Sequence, residues 1–197
     1  MAKDSPAPSP VAVQTAPPSE LAFPNVRLHG SVDDDMLTRW LDQTAALPIE
    51  APMVLELSTT GGDAEVGRRI ADDVRLLREA GRPTRFFGKT MVYSAGATIM
   101  GGFLRADRWL SRGALLMVHG RKLSKCLTFD RSLRVERPGV EALLAEIESG
   151  LQLERIEFLK LIEGSSVTLE ELERETLCDW YIPAQTALER GLIAGVV

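Results

Sequence analysis

The chain has 197 residues, of which 45% are hydrophobic and 26% charged, proportions that suit one globular domain of ordinary size. Its formal net charge of −5 argues against a nucleic-acid partner, because phosphate binding is carried by clustered Lys and Arg. No run of about 18 apolar residues occurs, so no membrane span is expected. The two cysteines, Cys126 and Cys178, are expected as free thiols in a reducing compartment, with the cytoplasm as the default location.

Residues 1–24 are rich in Pro, Ala and Ser. They lack the basic start and continuous apolar run of a secretory signal and are expected to form a disordered arm. One domain is expected over 25–197. Val26-Arg27-Leu28 is predicted as a strand ended by Gly30, and 33–46 as a helix with Met36, Leu37, Trp40 and Leu41 at helical spacing. The apolar run 53–57 is predicted as a strand, broken by Ser58-Thr59-Thr60-Gly61-Gly62-Asp63. A helix follows with Asp63 as N-cap, the stripe Val66, Ile70, Val74 and Leu77, and stop signals at Gly81 and Pro83. Strands are predicted over 84–87 and 115–118, with an Ala- and Gly-rich helix over 94–104 between them. A long helix is predicted over about 140–162. Thr168 and Glu171 fit a capping box. A last helix over 184–190 enters through Pro183 and closes at Gly191, before a final strand within 192–197. Strand–helix alternation of this kind indicates an α/β domain with much parallel pairing.

The chain has two histidines, His29 and His119, so a histidine base is one of these two. His119 follows an apolar strand, where open α/β sheets present their sites; its bland alternative is a hydrogen-bonded structural role. Ser94, in Tyr93-Ser94-Ala95-Gly96, is either a helix N-cap or a nucleophile with small neighbours that leave room for a carbonyl. Gly61-Gly62 is either only a turn or one whose N–H faces a developing oxyanion. Lys89 allows a Ser–Lys dyad. A phosphate loop at Gly88-Lys89-Thr90 is rejected, because the Gly required five positions earlier is Pro83.

In combination and order these segments resemble the proteolytic subunit of the Clp protease, over about 25–197. Pro24 to Asp33 is similar to that family's opening strand and turn. Ser58-Thr59-Thr60-Gly61-Gly62 stands for its Asn-Ser-Pro-Gly-Gly, and Tyr93-Ser94-Ala95-Gly96 for its Ala-Ser-Met/Ala-Gly. Leu116-Met117-Val118-His119 stands for its Ile-Met-Ile-His, and Thr176-Leu177-Cys178-Asp179 for its Thr-Asp-Arg-Asp. The resemblance implies a ClpP/crotonase-like spiral of β-β-α units, with the helix over 140–162 projecting as a handle. It also implies a serine endopeptidase: Ser94 the nucleophile, His119 the base, Asp179 its orienting acid, and the N–H groups of Gly62 and Ala95 the oxyanion hole. The substrate implied is unfolded polypeptide. The assembly implied is a homo-oligomeric ring fed by an AAA+ unfoldase, with no cofactor, metal or nucleotide in this subunit.

Several departures stand beside the match. Gly120-Arg121-Lys122 follows His119 where the family has Gln-Pro. Residues 123–139 are longer than the family norm. Leu177-Cys178 replaces an Asp-Arg pair that helps lock ring to ring. Alternatives to the peptidase are an inactive or structural subunit of a mixed assembly, and a crotonase-type acyl-CoA enzyme that shares the fold without needing a Ser nucleophile.

Overall fold

The computed structural model describes residues 16–197. The expectation for the segment 1–24 falls largely outside the described residues. Its described part holds a 3-10 turn, Ser19–Ala22, whose Leu21 is buried. Leu21 packs with Val54, Phe87 and Trp109, so ordered structure begins before Asn25.

Seven strands form one sheet: β1 (Val26–His29), β2 (Met53–Thr59), β3 (Thr84–Tyr93), β4 (Arg108–Leu110), β5 (Leu115–Val118), β6 (Trp180–Pro183) and β7 (Gly195–Val196). The order β1-β2-β3-β4-β7 is parallel throughout. β5 branches from β3, also parallel, and carries β6 antiparallel. The helices are α1 (Asp34–Ala45), α2 (Ala64–Glu79), α3 (Ala95–Gly101), α4 (Leu133–Ile162), α5 (Leu169–Glu175) and α6 (Ala184–Glu189). Side-chain caps at Asp33, Asp63 and Thr168 start α1, α2 and α5, each satisfying N–H groups left open in the first helical turn.

The branch arises from a bend in β3. Thr90 has a φ of 59°, and Leu57 faces Gly88 whereas Thr59 faces Val92. Extra residues on one strand of a pair turn it and raise its twist. Accordingly Phe86–Gly88 pairs with β4, whereas Met91–Tyr93 pairs with β5. The predicted strand 84–87 therefore runs on to Tyr93. Its second half carries the chain to Ser94.

The main core lies between the sheet and α1, α2 and α3, with Met36, Trp40, Leu55, Leu57, Ile70 and Phe86 fully buried. Arg108 is also buried. Its guanidinium donates to the carbonyls of Gly101 and Phe103 at the end of α3, of Lys160 and Leu161 at the end of α4, and of Leu192. Carbonyls at helix C-termini lack intrahelical partners, so one side chain ties two helix ends together.

α4 starts seven residues before the predicted position and runs through Pro138. Its buried residues are Phe158, Leu161 and Ile162, so most of its 30 residues project from the body. Val140, Leu144, Ile147 and Leu151 on the projecting part are exposed. The mixed α/β fold, its largely parallel sheet and the projecting handle are those expected.

Candidate active site

Ser94 follows β3 and immediately precedes α3. Its φ of 54° and ψ of −115° lie in a region that non-glycine residues rarely adopt, a strain found mostly at functional sites. The turn is held by its main chain: the Ser94 N–H donates to Met117 O at 2.8 Å, and the Ser94 carbonyl accepts from the Ala97 N–H at 2.8 Å. The side chain makes no capping hydrogen bond, so the N-cap explanation of this serine does not apply.

The Gly61-Gly62 turn packs directly on Ser94. A Cβ on Gly61 would stand 2.6 Å from Ser94 Cβ and 3.2 Å from Ser94 Oγ, and Gly61 has a φ of +95°. A Cβ on Gly62 would stand 2.3 Å from Val32 O. Both positions require glycine, for space and for backbone conformation. Val32 and Gly62 form a bridge in which Val32 donates to Gly61 O and Asp63 donates to Val32 O. Among the described residues, neither the Gly62 nor the Ala95 N–H has a hydrogen-bond partner. Gly62, Ser94, Ala95 and His119 line one cleft of about 490 Å³.

His119 follows β5, which lies beside β3, so Ser94 and His119 leave the sheet from the same end of neighbouring strands. Its Nδ1 lies 2.6 Å from the Gly120 carbonyl oxygen. A carbonyl can only accept, so Nδ1 carries the proton and Nε2 is the basic nitrogen of the neutral ring. His29 ends β1, on the far side of β2 from Ser94, and is not part of the cleft. Lys89 pairs with Glu56 at 2.6 Å and sits over the Phe87 ring, also away from the cleft lining.

Asp179 precedes β6. Val118 pairs with Trp180 in the antiparallel ladder, and one further step of that register sets His119 opposite Asp179. The carboxylate is exposed, and its partner is Lys122 Nζ at 3.4 Å. Among the described residues, the His119 ring makes no hydrogen bond to Ser94 or Asp179.

Charged residues absent from the sequence-based site close one side of the cleft. Arg121 spans from Glu65 at the start of α2 to Glu157 on α4, both at 2.7 Å. Arg68 also reaches Glu157 at 3.2 Å, and Thr98 donates to it. Burial pushes the Glu157 carboxyl up from its ordinary value, opposed by Arg121 and Arg68. The hydrogen bond from Arg121 pulls the more exposed Glu65 carboxyl down. Arg121 has its own shift upward: burial disfavours its charge, but the two carboxylates outweigh that. Glu154, one turn before Glu157, accepts from the Arg121 backbone N–H. The available signal was a pair of carboxylates at i, i+3 on α4 between apolar Leu151 and Phe158, where a core-facing helix carries no charge without partners.

No family model matches the chain. Among curated proteins it is similar to the ATP-dependent Clp protease proteolytic subunit 2 of Treponema pallidum (strain Nichols). That match is 22% identical over 175 residues, covering 87% of this chain and 81% of the relative. It is also similar to the ATP-dependent Clp protease proteolytic subunit of Paracoccus denitrificans, at 24% identity over 171 residues, covering 85% and 78%. The resemblance found in the motifs therefore extends along most of the chain, and the α/β architecture with its handle is of the same ClpP/crotonase-like kind. No helix among the described residues is long and apolar enough to cross a membrane.

Proposed function

We propose that this chain is a serine endopeptidase that cleaves unfolded polypeptide, with Ser94 as nucleophile, His119 as general base and Asp179 as orienting acid. One observation carries the reading. The strained serine is flanked by two N–H groups, of Gly62 and Ala95, without partners among the described residues, in a cleft that also holds a histidine whose Nδ1 lies on the Gly120 carbonyl. In the proposed reaction Ser94 Oγ attacks the peptide carbonyl while Nε2 of His119 takes its proton. The N–H groups of Gly62 and Ala95 receive the oxyanion. His119 then returns the proton to the leaving amine, and water hydrolyses the acyl-enzyme by the same route. No cofactor enters these steps. For Asp179 to reach Nδ1, it must leave Lys122 and replace the Gly120 carbonyl.

The relatives are named as subunits of ATP-dependent proteases. The reading extends this to a homo-oligomeric ring served by an AAA+ unfoldase, supported by the exposed apolar stripe of α4, since such a patch marks an interaction surface. The Asp179–Lys122 pair favours a second reading, a non-catalytic subunit of a mixed assembly. Fluorophosphonate labelling read by intact mass, on wild type and Ser94→Ala, separates the two. One adduct on wild type and none on the variant supports the peptidase; a folded, oligomeric wild type that takes no adduct supports the structural subunit.

A further inference from the structure

Glu154 lies on α4, outside the three residues of the proposed triad. Its carboxylate accepts from the Arg121 N–H. That N–H belongs to the same peptide group as the Gly120 carbonyl, which accepts from His119 Nδ1 at 2.6 Å. The connection is continuous: carboxylate to N–H, across one planar peptide, then carbonyl to imidazole. A charge on the N–H side polarises the peptide and makes its oxygen a stronger acceptor.

Three details fit this path. Glu154 has no cationic partner among the described residues, and its hydrogen bond is to that N–H. The nearby cations are already paired, Arg121 with Glu65 and Glu157 and Lys122 with Asp179. Gly120 lets the carboxylate approach, since a Cβ there would stand 3.2 Å from Glu154 Oε2. On its other side the Gly120 N–H, in the preceding peptide, donates to Thr176 O at 3.3 Å, so Gly120 is held through the peptides on both sides of it. A chain with Pro in place of Arg121 has no N–H to donate there, so the path depends on a residue by which this sequence departs from the family pattern.

We propose that Glu154 is a positioning residue for His119, acting through the Gly120–Arg121 peptide to hold the tautomer in which Nε2 is the base. This rests on the reading of Ser94 as nucleophile and His119 as base. Either acceptor on Nδ1 leaves Nε2 as the base: with Asp179 held by Lys122, the Gly120 carbonyl backed by Glu154 serves, and a freed Asp179 carboxylate, the stronger acceptor, takes its place on Nδ1.

The test uses the full-length chain as wild type, Glu154→Gln, Glu154→Leu and Ser94→Ala. The rate of fluorophosphonate labelling is followed against probe concentration, and histidine-selective 15N NMR reports the ring tautomer. With two histidines in the chain, a His29→Asn sample assigns the His119 signals. Gln keeps the acceptor but loses the charge; Leu loses both. The maximal labelling rate is expected to fall severalfold in Glu154→Gln and about tenfold in Glu154→Leu, the scale of one charge-assisted hydrogen bond. The half-saturating probe concentration is expected to stay unchanged, and the His119 Nδ1–H signature to weaken in the same order. A purely structural role would leave Glu154→Gln at the wild-type rate, because the amide oxygen still holds the segment. Wild-type rates in both variants, or an unaltered His119 tautomer, overturn the proposal. If Glu154→Leu does not fold, Glu154→Gln decides alone. An unreactive wild type counts against the Ser94 reading, and the NMR arm still decides the role of Glu154.

Discussion

Gly61→Ala tests whether the glycine turn sets the position of Ser94. The added Cβ would lie 2.6 Å from Ser94 Cβ and 3.0 Å from Tyr93 O. Carbon atoms in contact sit about 3.5–4.0 Å apart, so turn and serine must separate by about 1 Å. The φ of +95° adds about 1–2 kcal/mol for a residue with a Cβ, and overpacking adds about 1–3 kcal/mol. A loss of about 3 kcal/mol is expected in urea unfolding. Misplacement of a reacting group by about 1 Å costs about a hundredfold in rate, so fluorophosphonate labelling of Ser94 should slow by that factor. Gly30→Ala is the control, with the same φ of +95° and nothing within 4 Å; it carries the conformational cost without the collision. Labelling of Gly61→Ala within threefold of Gly30→Ala would refute the claim that this turn shapes the nucleophile.

Arg108→Met removes five donor contacts to buried carbonyls, each worth about 1 kcal/mol net. Burial already disfavours the cation, lowering its pKa to about 10, and losing it offsets part of that cost. The expected destabilisation is about 3 kcal/mol, and an unchanged urea midpoint would count against it. Glu157 is protonated more readily folded than unfolded, so its contribution favours the folded state at low pH and is lost as pH rises through the carboxylate range. Glu157→Gln should therefore raise stability at pH 7 and flatten the pH dependence of the urea midpoint; a lower midpoint at pH 7 refutes this. Lys122→Ala breaks an exposed pair and should shift stability by less than about 0.5 kcal/mol while speeding Ser94 labelling about threefold, as Asp179 is released. A slower rate would show that Lys122 serves the site. Leu144→Lys with Leu151→Lys should reduce the sedimenting species to a smaller assembly if the α4 stripe is an interface, and an unchanged profile removes that role.

The helical stripes of α1 and α2 and the Asp63 cap of α2 were legible because their signals are local, whereas the cap of α1 at Asp33 was read as the helix's first residue. β4 and β6 were not. β4 has three residues, too few for a period to register; β6 has four, as β5 does, but it ends in Pro183 and buries only Ile182, so it lacks the continuous apolar run that marks β5. α4 begins before Pro138, which is the sixth residue of the helix and has no N–H to donate to the Arg134 carbonyl, so the predicted start at about 140 missed its first seven residues. At the site, strand ends and small residues singled out Ser94, His119 and the glycine turn, but each kept a bland alternative, and the roles given to them came from the resemblance of the motifs taken together. The pairing of Asp179 with Lys122, and of Glu154 with Arg121 N–H, depends on chain segments more than 30 residues apart, which no local pattern contains.

The site's elements differ in how firmly they are placed, and this decides where its behaviour is controlled. Ser94 is fixed by the bend in β3 and the glycine turn, both inside the packed sheet. His119 sits one residue beyond the sheet, where the chain turns into a segment without regular structure up to α4. Three contacts hold that exit: Thr176 O on the Gly120 N–H, Glu154 on the Arg121 N–H, and the Arg121 guanidinium between Glu65 and Glu157. Two of these come from α4, the helix whose outer turns expose Leu144, Ile147 and Leu151. A helix moves as a rigid element, so whatever seats on that stripe acts on the same body that carries Glu154 and Glu157. His119 is then the member of the cleft most sensitive to the handle, and Ser94 the least.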